Sequence, residues 1–230
     1  MKSLSFSYNT SVDTAYIIRV VGHDSSEEQA ARCLESCEKV GQAAEYWDAY
    51  NGLGDTLTAP AHHSGIMKML KVTDHYLTRG EVACALSHIS LWAKCVEEDK
   101  PLIVLEHDAV MTKAYTQHMV YNSICYLGSH EQATQGWGVY PTPPHASEGP
   151  NYHFMCRAHA YAIDPAVAKN MLAHVLKYGL CSSLDMMLRA DIFPIHQMGV
   201  YAHDTRIAET TILGRSKVGR TTERNDDLKV

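Results

Sequence analysis

The chain has 230 residues, of which 46% are hydrophobic and 20% charged, with a formal net charge of -6 and a pI near 6.1. This is enough apolar material for one sizeable domain and too much for a disordered chain. The acidic balance offers no basic face or stripe of the kind that holds phosphate backbones, so no nucleic-acid partner is expected.

The N-terminal stretch has no apolar core of signal-peptide length, and no window approaches the ~18 apolar residues of a membrane span, so a cytoplasmic protein without a transmembrane segment is expected. Residues 15–21, AYIIRVV, form a short β-branched strand that runs into a Gly-His-Asp-Ser loop. A helix follows from Ser25 or Ser26 as cap, with early glutamates, apolar positions at helical spacing and Gly41 as its stop. A second strand-like piece, residues 43–52, ends in an Asn-Gly turn signal, and residues 53–76 read as a long loop with one helical turn near 66–72.

Thr78 with Glu81 three residues on makes a capping box, and the apolar face of VACALSHISLWAKCV marks the helix it opens. Lys100 and Pro101 end that helix and start the strand PLIVLEHDAV. The alternation of strands and helices, with a continuous apolar run in this third strand, predicts a mostly parallel α/β sheet covered by helices on both faces. Further on, a helix is expected near residues 113–121, a strand at 123–129, a Gly/Pro-rich loop at 132–150 and a strand at 154–163. A helix opened by Asp164-Pro165 and stopped by Gly179 comes next, then a short helix within SLDMMLRADI, a last strand at 195–201 and a polar tail.

The seven cysteines include no CxxC pair and are expected as reduced, mostly buried thiols. The fourteen histidines contain no HExxH pattern, so a structural zinc site is not expected. Glu106 and Asp108 fall at the carboxyl end of the third strand, where open α/β sheets bind ligands. Two acids at i and i+2 of a strand project to one side and can hold one hard cation against a diphosphate. The bland alternative is that they finish the strand, with Asp108 capping a turn.

Three blocks in order shift that balance: LTRGEVACALSHISLW at 77–92, LEHD at 105–108, and RAHAYAIDPAVAKNML at 157–172 with SLDMML after it. Together they resemble glycosyltransferase family 25, the lipooligosaccharide-type and collagen-type galactosyltransferases. The resemblance implies a single GT-A-like, Rossmann-type nucleotide-sugar domain over residues 1–214, with 215–230 as a polar C-terminal tail. It implies a UDP-sugar donor, a glycan or protein-linked acceptor, a divalent Mn2+ or Mg2+ ion and inversion at the sugar carbon. Glu106 and Asp108 take the metal and nucleotide role, with His203 able to complete the metal shell. Asp185 is the first candidate for the base that takes the acceptor proton, its alternative being a solvated helix acid or a cap, and Glu81 is next in line.

Ser87 and His88 sit side by side on a helix and make no hydrolase dyad; in the family block they buttress the donor pocket. Arg157 could meet the diphosphate, whereas Arg19 reads as the partner of a surface acid. The aromatic loop at 137–140 could stack on a sugar or base, or simply pack. Two features depart from the family pattern: His107 replaces the middle acid of its Leu-Glu-Asp-Asp segment, and the first strand reads IIRVVGHD. They motivate the alternative of a catalytically inactive member that binds a glycan or partner.

Overall fold

The computed structural model describes residues 14–63, 65–115, 124–128, 140–141, 158–189 and 192–204. Strand β1 (Ala15–Arg19) leads into helix α1 (Asp24–Val40), which returns to β2 (Ala44–Asp48), parallel to β1. The helix is capped by His23, whose Nδ1 accepts from Ser26 N at 3.3 Å, and not by a serine. Ser26 is occupied elsewhere, its Oγ accepting from Val20 N at 2.9 Å to close the turn out of β1. Gly41 stops the helix at φ 74°, a left-handed value that glycine adopts without strain.

Among the described residues of 53–76 there is one 3₁₀ turn, Met67–Met69, and the stretch delivers the chain to α2 (Arg79–Glu98). Its capping box is formed in full: Glu81 N donates to Thr78 Oγ1, and Glu81 Oε2 accepts from Thr78 N at 2.9 Å. Helix α2 leads to β3 (Leu102–Glu106), which lies parallel to β1 on the side away from β2. The run read as one strand then breaks at His107 and Asp108, a turn that leads into β4 (Ala109–Met111).

The remaining elements are β5 (Ile124–Gly128), β6 (Tyr140–Pro141), β7 (Ala160–Ile163), α3 (Pro165–Tyr178), α4 (Leu184–Met187) and β8 (Ile195–Asp204). Strand β6 lies inside the stretch expected to be all loop. Of the helix expected at 113–121, residues 113–115 are non-helical and the rest falls outside the described residues. So do residues 154–157 of the expected strand and the tail from 205 onward.

All eight strands join one sheet in the order β2-β1-β3-β7-β5-β8-β4, with β6 beside β8. It is α/β but mixed, which corrects the expectation of a mostly parallel sheet. The pairs β1/β2, β1/β3 and β5/β8 are parallel, whereas β3/β7, β5/β7, β4/β8 and β6/β8 are antiparallel. The apolar run of β3 reports burial on both faces and carries no information about its neighbours' direction.

Alternate residues of the sheet enter two cores. Tyr16, Ile18, Leu102, Val104, Tyr126, Tyr161 and Ile163 pack under α2 and α3, while Ile17, Ile103, Leu105, Leu127 and Ala160 pack under α1. Among the described residues, no helix is long and apolar enough to cross a membrane.

The chain after β2 is pinned to both α2 and β2. Ser87 Oγ accepts from Tyr50 N, Trp47 Nε1 donates to Ser90 Oγ, and the His62 ring lies 3.9 Å from the Trp47 ring centre to centre. At buried Gly52, a Cβ would lie 2.5 Å from the Arg79 carbonyl oxygen, a backbone atom that cannot swing aside. Gly52→Ala should therefore lower stability by ~1–3 kcal/mol in urea melts with an unchanged m-value.

Burial lowers the pKa of His62, with Asp48 opposing the shift, and burial also lowers that of His174. The folded state thus binds fewer protons than the unfolded chain once pH falls to the ordinary histidine value of about 6.5. This contribution to stability is complete above that pH and declines below it. His62→Gln should flatten the acid side of a plot of stability against pH between about pH 7.5 and 5.

Candidate functional site at the carboxyl end of strand β3

Glu106 is the last residue of β3, opposite Ile18 of β1, and by alternation it shares the face of Val104 beneath α2. There Glu106 Oε1 lies 3.4 Å from His88 Nε2. His88 is buried, and its Nδ1 shares a hydrogen bond of 2.9 Å with the Tyr161 hydroxyl. Trp92 Nε1 donates to the same hydroxyl at 2.9 Å. An indole N–H can only donate, so the phenol oxygen is fixed as its acceptor. Burial, chiefly, and the charge of Glu106 push the Tyr161 phenol well above its ordinary pKa, which keeps it neutral.

One face of α2 supplies this site. Glu81, Cys84, His88 and Trp92 fall at helical spacing along it, exposed at the amino end and buried at the carboxyl end. Among the described residues, the group whose donor atoms lie close enough to share a metal ion is Cys84, His88 and Glu106, all within 4.8 Å of one another. The sequence reading set Cys84 on the apolar face of this helix, but it is exposed, and its i, i+4 spacing to His88 was the usable signal.

From the far side comes the chain entering β7. Glu106 N donates to His159 O at 2.8 Å, which extends the β3/β7 register by one step and sets the fully buried His159 opposite Glu106. Next to it, Ala158 N donates to Asp185 Oδ1 at 3.3 Å. Asp185, in the first turn of α4, is thereby held at the same end of the sheet as Glu106. His159 and Tyr161 were missed because nothing local in RAHAYAI says which of its residues face a neighbouring strand's end.

The two acids of LEHD differ in environment. Asp108 is buried in the turn after β3, near enough to α1 for its charge to help raise the pKa of Cys33, after the hydrogen bond with Cys37 and burial. Glu106 faces α2. The expectation that both acids project to one side assumed a continuous strand, and the turn at 107–108 removes that condition.

The other expected site residues are placed as follows. Glu81 is exposed, with its carboxylate engaged in the capping box. Ser87 Oγ donates to Ala83 O and accepts from Tyr50 N, so it turns away from the partners of His88. Arg19 pairs with Asp48 at 3.2 Å, as the surface reading had it. The backbone of His203 stands opposite Val110 in the β4/β8 register, next to the turn that holds Asp108; its side chain lies outside the described residues, as does Arg157. Residues 137–139 of the aromatic loop also lie outside them.

The family model for glycosyltransferase family 25 (LPS biosynthesis protein) matches residues 20–133. Over this stretch the chain belongs to glycosyltransferase family 25. The matched residues run from the end of β1 through α2, β3 and β4, and so contain Cys84, His88, Glu106 and Asp108. The family points to glycosyl transfer, with a sugar donor and a glycan acceptor. The third block, 157–172, lies beyond the match. No curated protein matches the chain.

Tyr161→Phe deletes the oxygen that both Trp92 and His88 bind while keeping the ring. It should lower stability by ~1–3 kcal/mol, since it leaves a buried indole N–H without its acceptor. Trp92→Phe in the Tyr161→Phe background should then add less than it does alone, and a double-mutant cycle in urea measures that difference.

Proposed function

We propose that this family 25 protein transfers a hexose, galactose by the family resemblance, from a UDP-sugar to a lipopolysaccharide-type glycan or a protein-linked acceptor, with inversion at the sugar carbon. The observation that carries the reading is the meeting of Glu106 and Asp185 at one end of the sheet through the single backbone segment 158–159. That end is the carboxyl end of the parallel β1/β3 pair, where α/β folds bind ligands, and it supports a GT-A-like nucleotide-sugar fold.

Asp185 acts as the base. Its carboxylate takes the proton of the acceptor hydroxyl as that oxygen bonds to the sugar carbon and the bond to UDP breaks. The hydrogen bond from Ala158 N orients that carboxylate. Glu81 is the second candidate, and its use as a base would compete with its capping bonds.

The carboxylates of Glu106 and Asp108 are the hard oxygen donors that suit Mn2+ or Mg2+, and they fit such an ion in donor type. Glu106 is the one partly open to solvent. A divalent ion held there supplies charge neutralisation for the leaving diphosphate.

Two measurements test the reading. Mn2+ and UDP together should raise the melting temperature, by the equivalent of about 2.7 kcal/mol at a hundred-fold excess over Kd. No shift with any nucleoside diphosphate, with or without metal, would sink it. Asp185→Asn should bind UDP as the parent does yet lose transfer by ~100-fold or more, whereas Asp108→Asn should weaken metal-dependent UDP binding and turnover together. The replacement of the family acid by His107 keeps the inactive binding module as the competing reading. UDP-sugar hydrolysis without acceptor, abolished in Asp108→Ala, excludes that module; tight glycan binding without turnover favours it.

A further inference from the structure

Glu106 keeps company that Mn2+ or Mg2+ does not select. Its described neighbours at the end of β3 include a thiol and an imidazole, and together the three side chains offer one sulfur, one nitrogen and one oxygen within 4.8 Å of one another. Sulfur and imidazole donors favour borderline ions of the zinc class over hard oxygen-seeking ones.

The spacing fits such an ion. Ligand bonds of about 2.0–2.1 Å at a tetrahedral angle put nitrogen and oxygen donors about 3.3 Å apart, and His88 Nε2 stands 3.4 Å from Glu106 Oε1. A zinc–thiolate bond of about 2.3 Å would set the sulfur about 3.6 Å from each of them, and the sulfur of Cys84, one turn before His88 on α2, lies within 4.8 Å of both.

His88 supplies the second, independent observation. Its ring is 99% buried, its Nε2 faces Glu106, and among the described residues that nitrogen makes no hydrogen bond. The other ring nitrogen is held by the Tyr161 hydroxyl at 2.9 Å, and Tyr161 is held in turn by Trp92. A hydrogen bond to the far nitrogen is what orients a metal-ligating imidazole and fixes its tautomer. With the indole N–H on one lone pair of the phenol oxygen, the other can accept from His88 Nδ1–H, and that is the tautomer in which Nε2 is free to ligate an ion.

We infer that Cys84, His88 and Glu106 form a binding site for a zinc-class divalent ion. Cys84 Sγ, His88 Nε2 and Glu106 Oε1 are the three protein ligands among the described residues. Binding releases the thiol proton of Cys84 to solvent, because the thiolate is the ligand. The ion would bridge α2 to the end of β3, and it would compete with Mn2+ for Glu106. The inference goes beyond the transfer reading and does not need it, since its test uses the metal alone.

The test is a cobalt titration of the full chain after treatment with chelator, read by absorption. Co2+ should bind at one equivalent with a thiolate-to-metal charge-transfer band in the near ultraviolet and the intense visible bands of a four-coordinate ion, and Zn2+ should displace it. Cys84→Ser, on an exposed position, should keep the metal-free melting temperature, lose the charge-transfer band and weaken binding by at least ~100-fold, the upper end of what losing even an outer partner causes. Glu106→Gln should keep the charge-transfer band but weaken binding. An undiminished band in Cys84→Ser, as would arise if Cys33 and Cys37 held the ion, overturns the assignment. So does the absence of any charge-transfer band in the parent at one equivalent.

Discussion

Strand β3 lies between a parallel neighbour, β1, and an antiparallel one, β7, and the period of two along it decides which core each of its side chains enters. Leu102 and Val104 go to the α2 side, Ile103 and Leu105 to the α1 side, and Glu106 follows in turn to the α2 side. A carboxylate delivered there by strand geometry meets whatever α2 presents. That helix presents His88 and Cys84 because the capping box at Thr78 and Glu81 fixes where its first turn begins, and hence which residues face the sheet.

The polar groups beneath the site form a chain and not a set of independent contacts. Trp92 donates to Tyr161, Tyr161 is bonded to His88, and His88 approaches Glu106. Buried polar groups of this kind are tolerated only when partnered, and a network fixes its members more firmly than single pairs do. Its use here is positional: two aromatic residues from different elements hold one imidazole ring at the end of a third. The segment entering β7 does the same for Asp185, through one backbone N–H.

The antiparallel entry of β7 is what brings these parts together. A parallel strand beside β3 would present its carboxyl end, and the loop after it, at Glu106. Because β7 runs the other way, its amino-terminal approach, Ala158 and His159, lies there instead. Two parts of the chain about fifty residues apart, LEHD and AHAYAI, thus become one site.

The sequence by itself determined whatever depends on contacts within a few residues. Gly41, the Thr78/Glu81 box, Pro165 and Gly179 mark helix ends by capping and backbone chemistry that act over one turn. The apolar runs at β1, β3 and β5 mark buried strands, and LTRGEVACALSHISLW with LEHD marked the family. Strand direction, the turn that divides Glu106 from Asp108 and the gathering of Cys84, His88 and Glu106 were decided only in the tertiary structure. A hydrophobic run specifies that a strand is buried and not which neighbour lies beside it or in which direction. The face on which a charged side chain emerges depends on where the strand stops, and pairing with distant strands sets that stop: β7 for Glu106, and β8, through β4, for the chain beyond Asp108.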